Sequence, residues 1–276
     1  MGNRIDSHQH FWKFDPVRDS WIDDSMQKIQ RDFLPEDLLP LLQQNQFSGC
    51  VAVHASQSEE ETEFLLDLAS KNDFIKGIVG WVDLRASNIE ERLNYFSSFK
   101  NIKGFRHVVQ GEADDFMFRE DFRNGISALK MFNYTYDILI FHRQLSAAIN
   151  LVKHFPDQPF VIDHIAKPDI KSGDIASWKK GIEEIVKYEN VSCKISGMVT
   201  EAHWNSWKPS DLKPYLDVIF ENFTANKLMF GSDWPVLNVA SDYSEVVQTL
   251  EDYMSQLSTE DQNKIWFENA SSFYKL

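Results

Sequence analysis

The chain has only two cysteines in 276 residues, Cys50 and Cys193. Both fall inside β-rich apolar runs and are expected as buried thiols, not as a disulfide. No apolar run is long enough to span a bilayer. No basic-then-apolar signal segment opens the chain either, since polar and charged residues appear by position 3. A cytoplasmic, soluble protein is therefore the expectation. Cations are scarce too: 28 Lys and Arg against 42 Asp and Glu leave a formal net charge of −14. That balance argues against nucleic acid or an anionic membrane surface as partner. No glycine-rich phosphate turn follows the first apolar run, no internal repeat is visible, and no segment is of low complexity. Aromatic residues are abundant, at 13% of a chain that is 43% hydrophobic. That is the balance of a globular protein, long enough for one barrel-sized domain or two small ones.

Short β-rich runs alternate with amphipathic stretches. Strands are predicted over Arg4–His10, Gly49–Ser56, Ile75–Leu84, Ile102–Val109, Thr135–His142, Phe160–Ala166, Val191–Met198 and Lys227–Asp233. Runs such as GCVAV, ILIF and FVID suit strands buried on both faces of a parallel sheet. Helices are predicted over Leu34–Gln46 with Pro35 in its first turn, from Ser58 into FLLDLA, and after a capping box of Ser87 and Glu90. Others follow over Arg119–Phe132, Gln144–Phe155, Ser177–Tyr188, Asp211–Phe223 and Ser241–Leu257, with a tail helix from Thr259. Strand–helix alternation eight times over, without an interrupting linker, predicts an α/β fold: a single (β/α)8 TIM-like barrel spanning residues 1–276. The rival, a doubly wound open sheet, would want a glycine-rich turn after the first strand. The long loop Phe11–Phe33, with Trp12, Phe14 and Trp21, stands there instead.

A barrel's active site forms at the C-terminal ends of its strands. The residues found there are polar: His8 and His10, His54, Arg106 and His107, His142, Asp163 and His164 with Lys167 just beyond, Lys194, and Asp233. His8 and His10 stand two apart, hence on one side of an extended strand. If the first and last strands are neighbours, Asp233 reaches the same point. A single strand histidine is more often a hydrogen-bonded structural residue, but two imidazoles on one side are costly without a partner. Asp233 in GSDWP also has a bland reading, as a helix cap or turn residue. Lys167 and Lys194 stand between buried ion pairs and substrate contacts, Glu112 between loop and site, and Trp204 and Trp207 between core and platform. Neither cysteine has an evident histidine partner, and Ser232 lacks a nucleophile elbow, so no covalent nucleophile is expected.

In these motifs the sequence resembles the amidohydrolase superfamily, in the branch of the sugar-acid lactonases. The resemblance covers essentially the whole chain: DSHQHFW (Asp6–Trp12), GWVDL (Gly80–Leu84), KGFRHVVQGE (Lys103–Glu112), DHIAKP (Asp163–Pro168), CKISGMVTEAHW (Cys193–Trp204), FGSDWP (Phe230–Pro235) and NASSFY (Asn269–Tyr274). It implies a distorted barrel and opening of a lactone ring by water. Asp233 is then the acid–base residue, with His8, His10 and His164 as catalytic partners. Arg106, His107, Lys167, Lys194 and Glu112, with Trp12, Trp21 and Trp204, are the expected substrate contacts. The fourth strand ends in Arg106–His107, not in a bridging lysine or glutamate, so a two-metal centre is not expected. A single zinc held by His8, His10, His142 and Asp233 suits these ligand types, and a metal-free site is also compatible. The alternatives are a lactonase of a non-sugar dicarboxylate, a metal-dependent decarboxylase of the same superfamily, and a non-enzymatic sugar-acid binder.

Overall fold

A computed structural model describes residues 4–276. Eight parallel strands form one sheet in the order of the chain: β1 (Ile5–Gln9), β2 (Gly49–Val53), β3 (Ile75–Gly80), β4 (Ile102–His107), β5 (Thr135–Ile138), β6 (Phe160–Ile162), β7 (Val191–Ile195) and β8 (Leu228–Phe230). Between them run α1 (Pro35–Gln44), α2 (Glu59–Lys71), α3 (Ile89–Phe96), α4 (Glu120–Met131), α5 (Leu145–His154), α6 (Ala176–Ile185) and α7 (Pro209–Asn222), with α8 (Tyr243–Met254) after β8. This is the (β/α)8 barrel that the alternation predicts. Local chemistry sets several helix starts. Pro35 stands in the first turn of α1, and the Ser58 hydroxyl and Asp242 carboxylate accept the Glu61 and Glu245 amides. The box expected at Ser87 does not form. α3 starts one residue later, with Asn88 at its cap and no side-chain bond there. Among the described residues no helix is long and apolar enough to cross a membrane.

Every predicted strand exists, but each is shorter than predicted at its C-terminal end, because the chain leaves the sheet there to build loops. β8 keeps only three residues, and β1 and β8 share no continuous ladder. Side chains close that seam. Asp6, wholly buried, accepts from the Ser232 amide at 2.9 Å, its hydroxyl at 2.6 Å, the Tyr243 hydroxyl at 3.0 Å and the His8 amide at 3.1 Å. Two backbone bonds finish it above, from the Asp233 amide to the His8 carbonyl (2.8 Å) and from the His10 amide to the Trp234 carbonyl (2.7 Å). These bonds carry the closure that brings Asp233 beside the two histidines.

After α8 the chain continues as α9 (Thr259–Asn263), a wider π turn (Lys264–Glu268) and α10 (Asn269–Tyr274). α10 lies across the N-terminal mouth of the barrel. Its Ala270 and Tyr274 form one apolar cluster with Ile5, Val51, Val79, Val161 and Met229 of the strands.

Candidate active site

His8, His10, His164 and Asp233 meet at the C-terminal end of the barrel. Asp233 Oδ1 lies 3.4 Å from His10 Nε2, 3.8 Å from His164 Nε2 and 3.9 Å from His8 Nε2, and the two Nε2 atoms of His8 and His10 are 3.2 Å apart. All four side chains are buried. The proton pattern is partly dictated. His10 Nδ1 faces the Val53 carbonyl at 2.7 Å. A carbonyl only accepts, so Nδ1 carries a hydrogen and Nε2 is the nitrogen turned toward the cluster. Burial, opposed by Asp163, pushes His8 well below the usual imidazole range, and burial brings His164 down to about 4. Both are therefore neutral at pH 7. Burial pushes the Asp233 carboxyl up, but in acid, where His164 and His8 take up protons, their charge and the His10 contact outweigh it and hold the group below its ordinary range, so that it is ionised at pH 7.

These donors fit a divalent cation. Tetrahedral zinc with ligand bonds of about 2.0–2.1 Å sets neighbouring ligand atoms roughly 3.3 Å apart, and the triad of His8, His10 and Asp233 offers 3.2, 3.4 and 3.9 Å. Each imidazole is also backed on its far nitrogen, His10 by the Val53 carbonyl and His8 by Asp163 at 3.2 Å, which is how metal-binding histidines are oriented. His142 is outside this set. Its Nδ1 faces the Lys167 carbonyl at 3.1 Å, so it buttresses a loop instead of joining the expected ligands.

That loop presents His164. His164, Ile165, Ala166 and Lys167 all adopt positive φ, between 44° and 62°, a left-handed turn costing roughly 1–2 kcal/mol per residue. Hydrogen bonds within the turn and from outside hold it. The Trp178 indole donates to the Ile165 carbonyl (2.7 Å), the Lys167 amide donates to the His164 carbonyl (2.8 Å), and Ser196 Oγ lies 2.9 Å from His164 Nδ1. Gly197 (φ +61°) passes so close that a Cβ there would meet His164 Nδ1 at 2.5 Å. The turn replaces the predicted end of β6 and aims His164 at Asp233.

Burying His164 also sets a pH response. The unfolded chain binds this proton below about 6.5, whereas the folded protein does so only near 4. The contribution is present in full above pH 6.5 and lost as pH falls to about 4, roughly 3 kcal/mol at 1.36 kcal/mol per pKa unit. Urea unfolding in the presence of chelator, at pH 7 and 4.5, should show the wild type losing more stability than His164→Gln. Equal losses would refute the assignment.

Beneath the cluster lies a buried ion network. Arg106 Nη1 contacts Asp163 Oδ2 at 3.1 Å and His8 Nε2 at 3.2 Å, while its other nitrogens meet the His54 carbonyl and, at 3.4 Å, the His54 ring. Lys194 Nζ reaches Asp137 Oδ2 at 2.5 Å and Asp163 Oδ1 at 3.0 Å. Asp137 is the member of this network that the sequence motifs did not single out. An acid inside the apolar run TYDILI was the available signal, because a carboxylate buried in a strand needs a cation.

Above the cluster opens a cleft of about 450 Å³, lined by His10, Arg106, His164 and Asp233 below and by Arg18, Asp19, Trp21, Gln57, Gln110 and Lys167 around its walls. Trp21 and Lys167 were expected there; Arg18, Asp19, Gln57 and Gln110 were not. Five expected substrate contacts lie elsewhere. Lys194 is sealed in the network below. Trp12 is buried, with its indole donating to the Arg31 carbonyl (2.9 Å) and Trp21 edge-on against it. Trp204 donates to the Thr200 carbonyl (2.8 Å). His107 stacks on Phe116 and pairs with Glu112 at 2.9 Å, so these two satisfy each other away from the cleft. Each has a polar group already engaged by a neighbour, which the linear sequence does not reveal.

Comparison with known proteins agrees with this geometry. The L-fucono-1,5-lactonase of Burkholderia multivorans is 38% identical over 99% of this chain and 96% of its own length. The L-fucono-1,5-lactonase of Burkholderia ambifaria is 32% identical over 100% of this chain and 97% of its own. The crystal structure of a Burkholderia multivorans amidohydrolase with bound zinc superposes with a TM-score of 0.96, at 37% identity, over 100% of both chains. The amidohydrolase family model matches residues 5–276. With its barrel and strand-end histidines, the chain belongs to the amidohydrolase family.

Proposed function

We propose that this protein hydrolyses the lactone of a sugar acid, of the L-fucono-1,5-lactone type, to the open-chain acid. The observation that carries the reading is an ionised carboxylate within 4 Å of three imidazoles, at the floor of a cleft of monosaccharide size whose walls are rich in hydrogen-bonding groups. The full-length lactonase relatives support the same reading.

A lactone is an activated ester, so water needs a base and the carbonyl oxygen needs positive character facing it. Asp233 takes a proton from water as the water oxygen bonds to the ring carbonyl carbon. The C–O ring bond then breaks, and Asp233 returns the proton to the departing ring oxygen. His8, His10 and Asp233 would hold a zinc ion, which supplies Lewis acidity to the site when bound. From the chain itself, Arg106 and His164 present positive or donating atoms to the cleft floor. Lys167 and Arg18 supply donors to sugar hydroxyls. Gln110 lines the cleft with Oε1 buried and without a donor among the described residues, an acceptor suited to a substrate hydroxyl. Trp21, 44% exposed, offers a face to the sugar's C–H side.

The test is a pH-indicator assay against a panel of aldonolactones. Fast acid release from one stereochemical group is expected; a folded, zinc-loaded protein silent across the panel would overturn the reading. Lys167→Met should raise KM for that lactone about tenfold, the worth of one charged hydrogen bond, and leave kcat nearly unchanged. An unchanged KM would remove Lys167 from the binding site.

A further inference from the structure

We propose that Asp19 and Glu201 are specificity-determining residues: by neutralising Arg18 and Lys167, the two cations on the cleft walls, they make this a site for uncharged lactones and turn away lactones that carry a carboxylate. The inference rests on the lactonase reading above and adds the charge class of lactone that the site takes.

Three side chains that carry a permanent positive charge line the cleft: Arg18, Arg106 and Lys167. Each faces a carboxylate of the chain itself. Arg106 has Asp163 at 3.1 Å, inside a network where Lys194 and Asp137 complete two cations against two anions. Lys167 Nζ lies 3.4 Å from Glu201 Oε1. Arg18 is gripped by Asp19 through two bonds, Nε to Oδ1 and Nη2 to Oδ2, both 2.8 Å. A two-pronged guanidinium–carboxylate contact is stronger and more directional than a single one.

The surroundings of Asp19 leave it nothing else to do. It is 4% exposed, although Val17, Arg18 and Trp21 beside it on the β1–α1 loop are exposed. Its Oδ2 also accepts the Asp15 amide at 2.9 Å. Its own amide donates to the Asp15 carbonyl, and its carbonyl accepts the Ile22 amide, at 2.8 Å each. Both carboxylate oxygens are therefore taken before a substrate arrives. Arg18, by contrast, keeps a free edge. Of its five N–H bonds, those on Nε and Nη2 serve Asp19 and the Lys13 carbonyl, and Nη1 meets no acceptor among the described residues. Behind the same wall, buried Glu61 accepts the Ala55 and Ser56 amides at 2.8 and 3.3 Å and brings a further carboxylate toward Arg18.

Lys167 is arranged in the same way. Glu201 ends the short turn after β7, stands outside the cleft lining, and is largely buried with the lysine it faces. The walls thus offer donors whose charge is already answered. A hydroxyl oxygen takes such a donor at no electrostatic cost. A carboxylate must shed its water to enter and finds no uncompensated cation on the walls, because Asp19 and Glu201 repel it nearly as strongly as their partners attract it.

The experiment measures kcat/KM of the full-length protein for L-fucono-1,5-lactone and for the same lactone with a carboxylate in place of its C6 methyl. The wild type should prefer the neutral lactone by about 10²-fold, about tenfold for each charge pair in a partly wet cleft. Asp19→Asn and Glu201→Gln keep size and shape and remove the charge. Each should cut the preference about tenfold, and the double variant should bring it close to one. The gain of the charged lactone should fade between about 0.1 and 1 M salt, as the Debye length falls from about 10 to 3 Å. Adding Arg18→Gln to Asp19→Asn should restore the preference, because no unpaired cation then remains. Equal use of the two lactones by the wild type overturns the proposal. So does an equal loss on both lactones in Asp19→Asn and Glu201→Gln, the result expected of pairs that only pin their loops. If Asp19→Asn does not fold, the ratio in Glu201→Gln decides alone. Silence of the folded protein on every aldonolactone strikes the lactonase reading and this inference together, whereas turnover with an unmoved ratio strikes this inference alone.

Discussion

Asp233→Asn is expected to lower kcat/KM for a sugar-acid lactone at least about 10²-fold, a loss of some 2.7 kcal/mol or more of transition-state stabilisation, and to leave the fold in place. The carboxylate is the anionic group of the cluster that both faces the cleft and lies within 4 Å of three imidazoles. Its pKa lies below the ordinary carboxylate range, so it is ionised at neutral pH and can accept a proton; an amide cannot. The backbone should tolerate the change. Asp233 sits at φ +61°, a left-handed conformation asparagine adopts as readily as aspartate. Its amide bond to the His8 carbonyl at 2.8 Å, which helps close the barrel, is untouched. Turnover above about a tenth of wild type, in a variant with unchanged circular dichroism, would remove Asp233 from the acid–base role.

Lys194→Met should cost about 3–5 kcal/mol of folding stability, the usual price of breaking a buried ion pair from one side. Methionine matches the lysine stem in length and fills the space, so the loss is electrostatic, not a cavity. Lys194 is completely buried between Asp137 and Asp163. Once it is gone, Asp163 keeps Arg106 at 3.1 Å, whereas Asp137 keeps only the Tyr274 hydroxyl. Burial already lifts Asp137 to about 6 with the lysine present. Against a typical total of about 5–15 kcal/mol for a folded domain, such a loss is large and easily read as a drop in the urea midpoint. Adding Asp137→Leu should recover much of it, because a paired apolar replacement leaves no stranded charge. A single-variant loss under about 1 kcal/mol would mean the network is wet or already neutral.

The order and number of strands were legible because a parallel strand buried on both faces writes itself as a continuous apolar run. The placement of polar residues at strand ends was legible for the same reason: a histidine or acid that interrupts or ends such a run must face something. His8 and His10 meet as their two-residue spacing implies, with Nε2 atoms 3.2 Å apart. Asp233 joins them because the last strand returns beside the first. Even the aromatic loop after β1 was recognisable as site-forming, and Trp21 lines the cleft.

The sequence by itself thus determined the barrel, the histidine pair, and the acid that meets it. Tertiary structure decided the rest. It selected which of the strand-end groups are free to meet a substrate, because that depends on partners supplied from far along the chain. Trp12 is consumed by the Arg31 carbonyl, His107 by Glu112 and Lys194 by Asp137, while Lys167, 3.4 Å from Glu201, is carried to the rim by a left-handed turn that Trp178 and Ser196 hold in place. Side-chain periodicity is a local property of the backbone and can be read along a line. The satisfaction of a buried charge or amide is a property of three-dimensional neighbours, and only the folded chain supplies them.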